Sequence, residues 1–154
     1  MPAQSPVLAT PQRSANNHRA SAPAFAVAEA VQEAAVRGTL AIGLAGIAVI
    51  HAVDSVGKWS ETPYMFWMYM ALIAGAIVLA AATLFHPSRV TFLAAAGLAA
   101  TVMVGFIIDR TVGLPQATDD IGNWTEPLGL ASMVVEGLVV AVGIAGLMAR
   151  PTTR

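Results

Sequence analysis

The chain has 154 residues, of which 56% are hydrophobic and 11% charged, with a formal net charge of −1. A soluble domain carries about twice that charged fraction, and no Lys/Arg cluster is dense enough to follow a phosphate backbone, which excludes nucleic acid as a partner. Cysteine is absent, which removes disulfides, thiolate zinc sites, iron–sulfur ligation and cysteine nucleophiles.

Residues 1–23 are rich in Pro, Ser, Ala, Asn and Gln and have no apolar core of signal-peptide length. They read as a disordered cytoplasmic tail rather than a cleaved leader. The stretch 24–37, AFAVAEAVQEAAVR, is built almost wholly of residues compatible with a helix, and Glu29 and Glu33 share one face. It is predicted as a juxtamembrane helix. Four apolar segments follow, at about 38–56, 64–85, 90–108 and 127–148. Each is near the ~20 residues that cross ~30 Å of hydrocarbon as a helix. They show no period-2 alternation and are too long for barrel strands. Pro63 and Pro127 open the second and fourth segments, where a missing amide donor costs least. His86-Pro87 stops the second. The predicted fold class is all-α: a polytopic membrane protein with a domain at 38–149 of four transmembrane helices in an up-down-up-down bundle, and a short tail at 150–154.

Charge predicts the orientation. Arg13, Arg19, Arg37, Arg89, Arg150 and Arg154 fall on one side of these spans, and only Lys58 and Arg110 on the other. By the positive-inside rule both termini are predicted to be cytoplasmic. The external side collects Asp54, Glu61, Asp109, Asp119, Asp120 and Glu126. Small residues at four-residue spacing, Gly97, Thr101 and Gly105 in the third span and Ala71 and Gly75 in the second, predict faces where helix backbones approach closely.

Polar residues stand where lipid is expected. Glu136 lies about nine residues into the fourth span, on the order of 13 Å deep at ~1.5 Å per residue. An ionised acid there costs ~2.5–3.5 kcal/mol on insertion scales, so Glu136 is expected to face the bundle and to be protonated or paired. His51 reaches a similar depth in the first span, and Asp54 follows it by three residues on the same face. Tyr69 in the second span could reach the same layer, and Asp109 and Arg110 close the third. The candidate metal or proton site is therefore His51, Asp54, Glu136 and Asp109, supported by Tyr69, Glu61, Arg110 and Glu126. Three uses stay open: a divalent metal held by oxygen and imidazole, a proton relay, or a hydrogen-bonded clasp between helices. No diagnostic ligand spacing such as HxxxH or ExxH is present. Met65, Met68 and Met70 invite copper as an alternative metal, although core or lipid-facing packing is their commoner use. Trp59, Trp67 and Trp124 are read as interface anchors.

The connection 109–126, DRTVGLPQATDDIGNWTE, is long for a small bundle, and such loops are often functional. Gly113, Pro115 and Gly122 predict turns in it. Two stretches, HAVDSVGKWSETPYMFWMY (51–69) and DRTVGLPQATDDIGNWTEPLGLASMVVEG (109–137), resemble a group of small bacterial four-helix integral membrane proteins of unassigned activity. The likeness rests on His51, on RTVGLP with W-x-EPLG, and on Glu136. It implies the four-span topology in a bacterial plasma (inner) membrane and points to the external half, and it carries over no reaction.

The expectation is a non-enzymatic accessory or complex subunit whose polar cluster binds a metal ion or a partner. Its surroundings would be the lipid bilayer and further copies of itself or other membrane subunits. A metal-dependent redox enzyme subunit using His51, Asp54 and Glu136 is the first alternative. A proton- or ion-coupled transporter with Glu136 as carrier carboxylate is the second.

Overall fold

The computed structural model describes residues 12–149. Four long helices form it: α1 (Gln12–Glu61), α2 (Pro63–Phe85), α3 (Arg89–Thr111) and α4 (Pro127–Met148), with a single 3-10 turn at Thr118–Asp120 among the described residues. Four stretches, Phe25–Glu61, Pro63–Phe85, Arg89–Thr111 and Pro127–Met148, are long and apolar enough to span a membrane, with mean hydropathies of 1.8, 2.2, 2.2 and 2.2 over an 18-residue segment of each. α4 has the bounds expected from the sequence, and α3 runs three residues further, to Thr111. The backbone of residues 12–23, expected as part of a tail, lies within α1, as does the 24–37 stretch. Residues 1–11 and 150–154, the rest of the two expected tails, lie outside the described residues.

The chain divides into two units between Ala34 and Ala35. In the first, every side chain from Phe25 to Ala34 is exposed. The second holds the packed helices. Across its helix pairs, early residues of one meet late residues of the next. Gly43 and Gly46 of α1 face Val139 and Val135 of α4, and Gly129 of α4 faces Phe106 of α3, whereas Gly143 faces Ala96. Asp54 of α1 bonds to Tyr69 of α2, and Arg37 bonds to carbonyls at the far end of α2. Consecutive helices therefore run antiparallel, up-down-up-down.

Leu40, Leu44 and Ile47 of α1, Ala76 of α2, Phe92, Ala95 and Ala99 of α3, and Val139 of α4 make one buried core. These residues sit toward the α2–α3 turn. At that end Arg37 donates from Nε to the Thr83 carbonyl at 3.3 Å and from Nη2 to the Leu84 carbonyl. The last carbonyls of a helix lack intrahelical partners, and a cation suits that end of the helix dipole. The Ser88 hydroxyl caps α3, accepting from the Thr91 amide at 3.1 Å.

Close backbone approach runs through different glycines from those expected. A Cβ on Gly143 would lie 3.3 Å from the Phe92 carbonyl oxygen, and one on Gly146 would enter the Phe92 ring. At Gly97 and Gly105 nothing lies within 4 Å of a Cβ. Four-residue spacing fixes a shared face but not the direction in which that face turns, and here the Thr101 and Gly105 face borders open space. Large apolar side chains such as Ile42, Val49, Ile77, Val104, Val134 and Leu138 are exposed on all four helices. Continuous apolar surface of this kind suits hydrocarbon and would aggregate in water.

Candidate functional site

Where the core stops, the helices leave a cavity of about 600 Å³, toward the α3–α4 loop. All four helices line it, each with residues three or four apart. α1 supplies His51, Asp54 and Lys58, α2 Met65, Tyr69 and Leu72, α3 Leu98, Val102, Gly105 and Asp109, and α4 Gly129, Ser132 and Glu136. The 3.6-residue period puts these sets on single inward faces.

The mid-bundle end holds His51 and Glu136. His51 is buried, and its Nδ1 lies 2.9 Å from the Ile47 carbonyl. A carbonyl only accepts, so Nδ1 carries the hydrogen and Nε2 is the acceptor in the neutral ring. Glu136 has no exposed surface. Its Oε1 accepts from the Ser132 hydroxyl at 2.5 Å, and its Oε2 has no partner. The Tyr69 ring meets His51 edge-on at 5.1 Å, and its hydroxyl donates to Asp54 Oδ2 at 2.8 Å.

The loop end is a charged cage. Arg110 Nη1 lies 3.1 Å from Asp109 Oδ2 and 2.7 Å from Asp120 Oδ1, and Nη2 lies 3.9 Å from Glu126 Oε2. The guanidinium carbon sits 4.9 Å from the centre of the Phe106 ring, which Trp124 meets edge-on at 6.1 Å. Glu126 also caps α4, accepting from Leu128 and Gly129 amides at 2.9 and 2.5 Å. Pro127 then occupies the first helical position, and a Cβ at Gly129 would enter the Phe106 ring. Each residue of EPLG up to its glycine, save Leu128, thus has a job in starting α4 against α3.

The loop is folded onto this end. Gly113 and Gly122 have φ of 82° and 81°, a conformation side chains disfavour. The Gly122 amide donates to the Arg110 carbonyl at 2.9 Å, and Tyr64 donates to the Pro115 carbonyl at 2.6 Å. Asp119 is exposed, whereas Asp120 belongs to the cage.

Of the eight site residues proposed from sequence, the cavity gathers His51, Asp54, Tyr69, Asp109, Arg110, Glu126 and Glu136. Glu61 is exposed at the end of α1, outside the lining. His51, Asp54, Asp109 and Glu136 are not drawn into one coordination group: among the described residues no three His, Asp or Glu side chains are placed to hold a metal ion. Met65 is buried in the cavity wall and Met68 is mostly exposed. Trp59, Trp67 and Trp124 are exposed. Sequence reasoning passed over Ser132 and Phe106. The four-residue step from Ser132 to Glu136 was a usable signal, since it places a hydroxyl beside the acid. Compared with protein-family models, with curated proteins and with solved structures, the chain matches none.

Proposed function

We propose that this chain is a multi-pass protein of the bacterial plasma membrane, with both termini cytoplasmic, that acts as a non-enzymatic binding subunit. Its ligand is a small molecule held in the external half of the bundle. The observation that carries this reading is the cavity itself: about 600 Å³, with Ile50, Leu72, Leu98 and Val102 in the wall between its ends and polar side chains contributed by all four helices. Small-molecule sites have this size and combine apolar walls, which give affinity, with polar groups, which give orientation. A clasp that only held helices together would close on itself, and here the polar groups border open space. The sidedness of the arginines supports the orientation. Arg110, the one arginine on the external side, is held by carboxylates.

Native mass spectrometry of the protein, purified in mild detergent from its own membrane, tests the reading. Gly105 borders the cavity with open space at its Cβ position, so Gly105→Trp adds bulk at the site from a position that no helix contact occupies. The wild type should carry a small-molecule adduct that the variant lacks. Equal spectra from the two proteins would overturn the proposal.

A further inference from the structure

We infer that the ligand of this cavity is an organic cation with apolar substituents, whose charge pairs with Glu136. The inference deepens the binding reading above and rests on it. Five carboxylates line the cavity, on Asp54, Asp109, Asp120, Glu126 and Glu136, against two cations, Lys58 and Arg110. Three of those acids surround Arg110, and Asp54 accepts from Tyr69. Glu136 is left at the mid-bundle end with no protein cation bonded to it, no exposed surface and an unpartnered Oε2.

The hydrogen-bond inventory has the same sign. At the mid-bundle end the donors are already committed: Ser132 to Glu136, Tyr69 to Asp54, and His51 Nδ1 to Ile47. The groups left over there are Glu136 Oε2, an acceptor in the carboxylate, and His51 Nε2, an acceptor in the neutral ring. Arg110 Nε is also unpartnered, but it belongs to a guanidinium already matched by three acids. Lys58 is half-exposed. An anion entering this space would meet a surplus of carboxylates, whereas a cation would supply the partner that buried Glu136 lacks. In a low-dielectric cavity that pairing is worth far more than in water. Ile50, Leu72, Leu98 and Val102 line the wall between the charged ends, which calls for apolar substituents around the charge rather than a bare metal ion.

The test uses three probes of similar shape and different charge: tetraphenylphosphonium, tetraphenylborate and neutral triphenylphosphine oxide. Each is equilibrated by dialysis with the full chain in detergent, against empty micelles as the blank. The phosphonium should bind at least tenfold more tightly than the neutral probe, and the borate not at all. Glu136→Gln keeps the Ser132 bond and should weaken the phosphonium at least tenfold while leaving the neutral probe unchanged. Should that variant fail to fold, the charge series on the wild type decides alone. If neutral probe and cation bind equally and Gly105→Trp displaces both, the cation assignment is overturned and the cavity reading stands. If no probe binds, or if Gly105→Trp leaves binding intact, both are overturned.

Discussion

Replacing Arg110 by methionine removes the charge at the loop end of the cavity while keeping much of the side-chain volume. Arg110 and Asp109 are each 7% exposed, with the guanidinium 3.1 and 2.7 Å from two carboxylates and 3.9 Å from a third. At an effective dielectric of about 20, unit charges about 4 Å apart attract by about 4 kcal/mol before desolvation is subtracted. Removing one member of a buried ion group costs about 3–5 kcal/mol, because the partners stay buried without compensation. Asp120 and Glu126 side chains are 25% and 31% exposed, so solvent recovers part of the loss. The expected destabilisation is therefore about 3 kcal/mol, at the lower end of that range. Unfolding of the purified protein by dodecyl sulfate in mixed micelles, followed by far-UV ellipticity, measures it. Trp124 fluorescence should report the same transition, since its ring packs on the Phe106 ring beneath Arg110. Adding Asp109→Asn should restore stability, making the double variant at least ~1 kcal/mol better than the sum of its parts. A cost of Arg110→Met below ~0.5 kcal/mol, or strict additivity, would refute the cage as an energetic unit.

Three further outcomes are expected. Gly146→Ala, whose new methyl would enter the Phe92 ring, should destabilise by about 1–3 kcal/mol as an overpacked core does. Gly97→Ala, with open space at the same position, should instead stabilise by up to about 1 kcal/mol through helix propensity; the two variants are compared in one unfolding series. Tyr69→Phe deprives Asp54 of its 2.8 Å donor and should cost about 1.5 kcal/mol in the same assay, the low end for a bond to a charged group because Asp54 is half-buried. Because the chain has no cysteine, single-cysteine labelling reads its orientation directly. An impermeant maleimide on intact cells should label Asp119→Cys and spare Thr153→Cys, and the reverse pattern would invert the topology.

Helix positions were legible because they depend on local chemistry. A run of ~20 apolar residues fits the bilayer whatever its neighbours are, and Pro63, Pro127 and His86-Pro87 mark ends through donors that proline lacks. The depth of His51, Tyr69 and Glu136 followed from counting along a helix of fixed rise, and the cavity brings these three together with Asp54.

What the sequence could not supply was rotation. Gly97, Thr101 and Gly105 look like a packing stripe, yet Gly43, Gly46, Gly143 and Gly146 are the glycines with close neighbours. Gly129, pressed on Phe106, joins them. Both sets have the same small residues at similar spacing, and only the neighbouring helices decide which one is pressed. The same holds for the charges. Local sequence puts Asp109, Arg110, Asp120 and Glu126 near one membrane surface, but a cage around Arg110 requires the loop to fold back through Gly113 and Gly122. By itself, then, the sequence determined four apolar helices, their ends and the depth of each polar group, since these follow from backbone geometry and transfer energy along one segment. Only the tertiary structure decided that the polar groups border one open cavity, that Arg110 is matched by three acids and that Glu136 is left without a lysine or arginine partner. Those outcomes depend on contacts between segments distant in the chain.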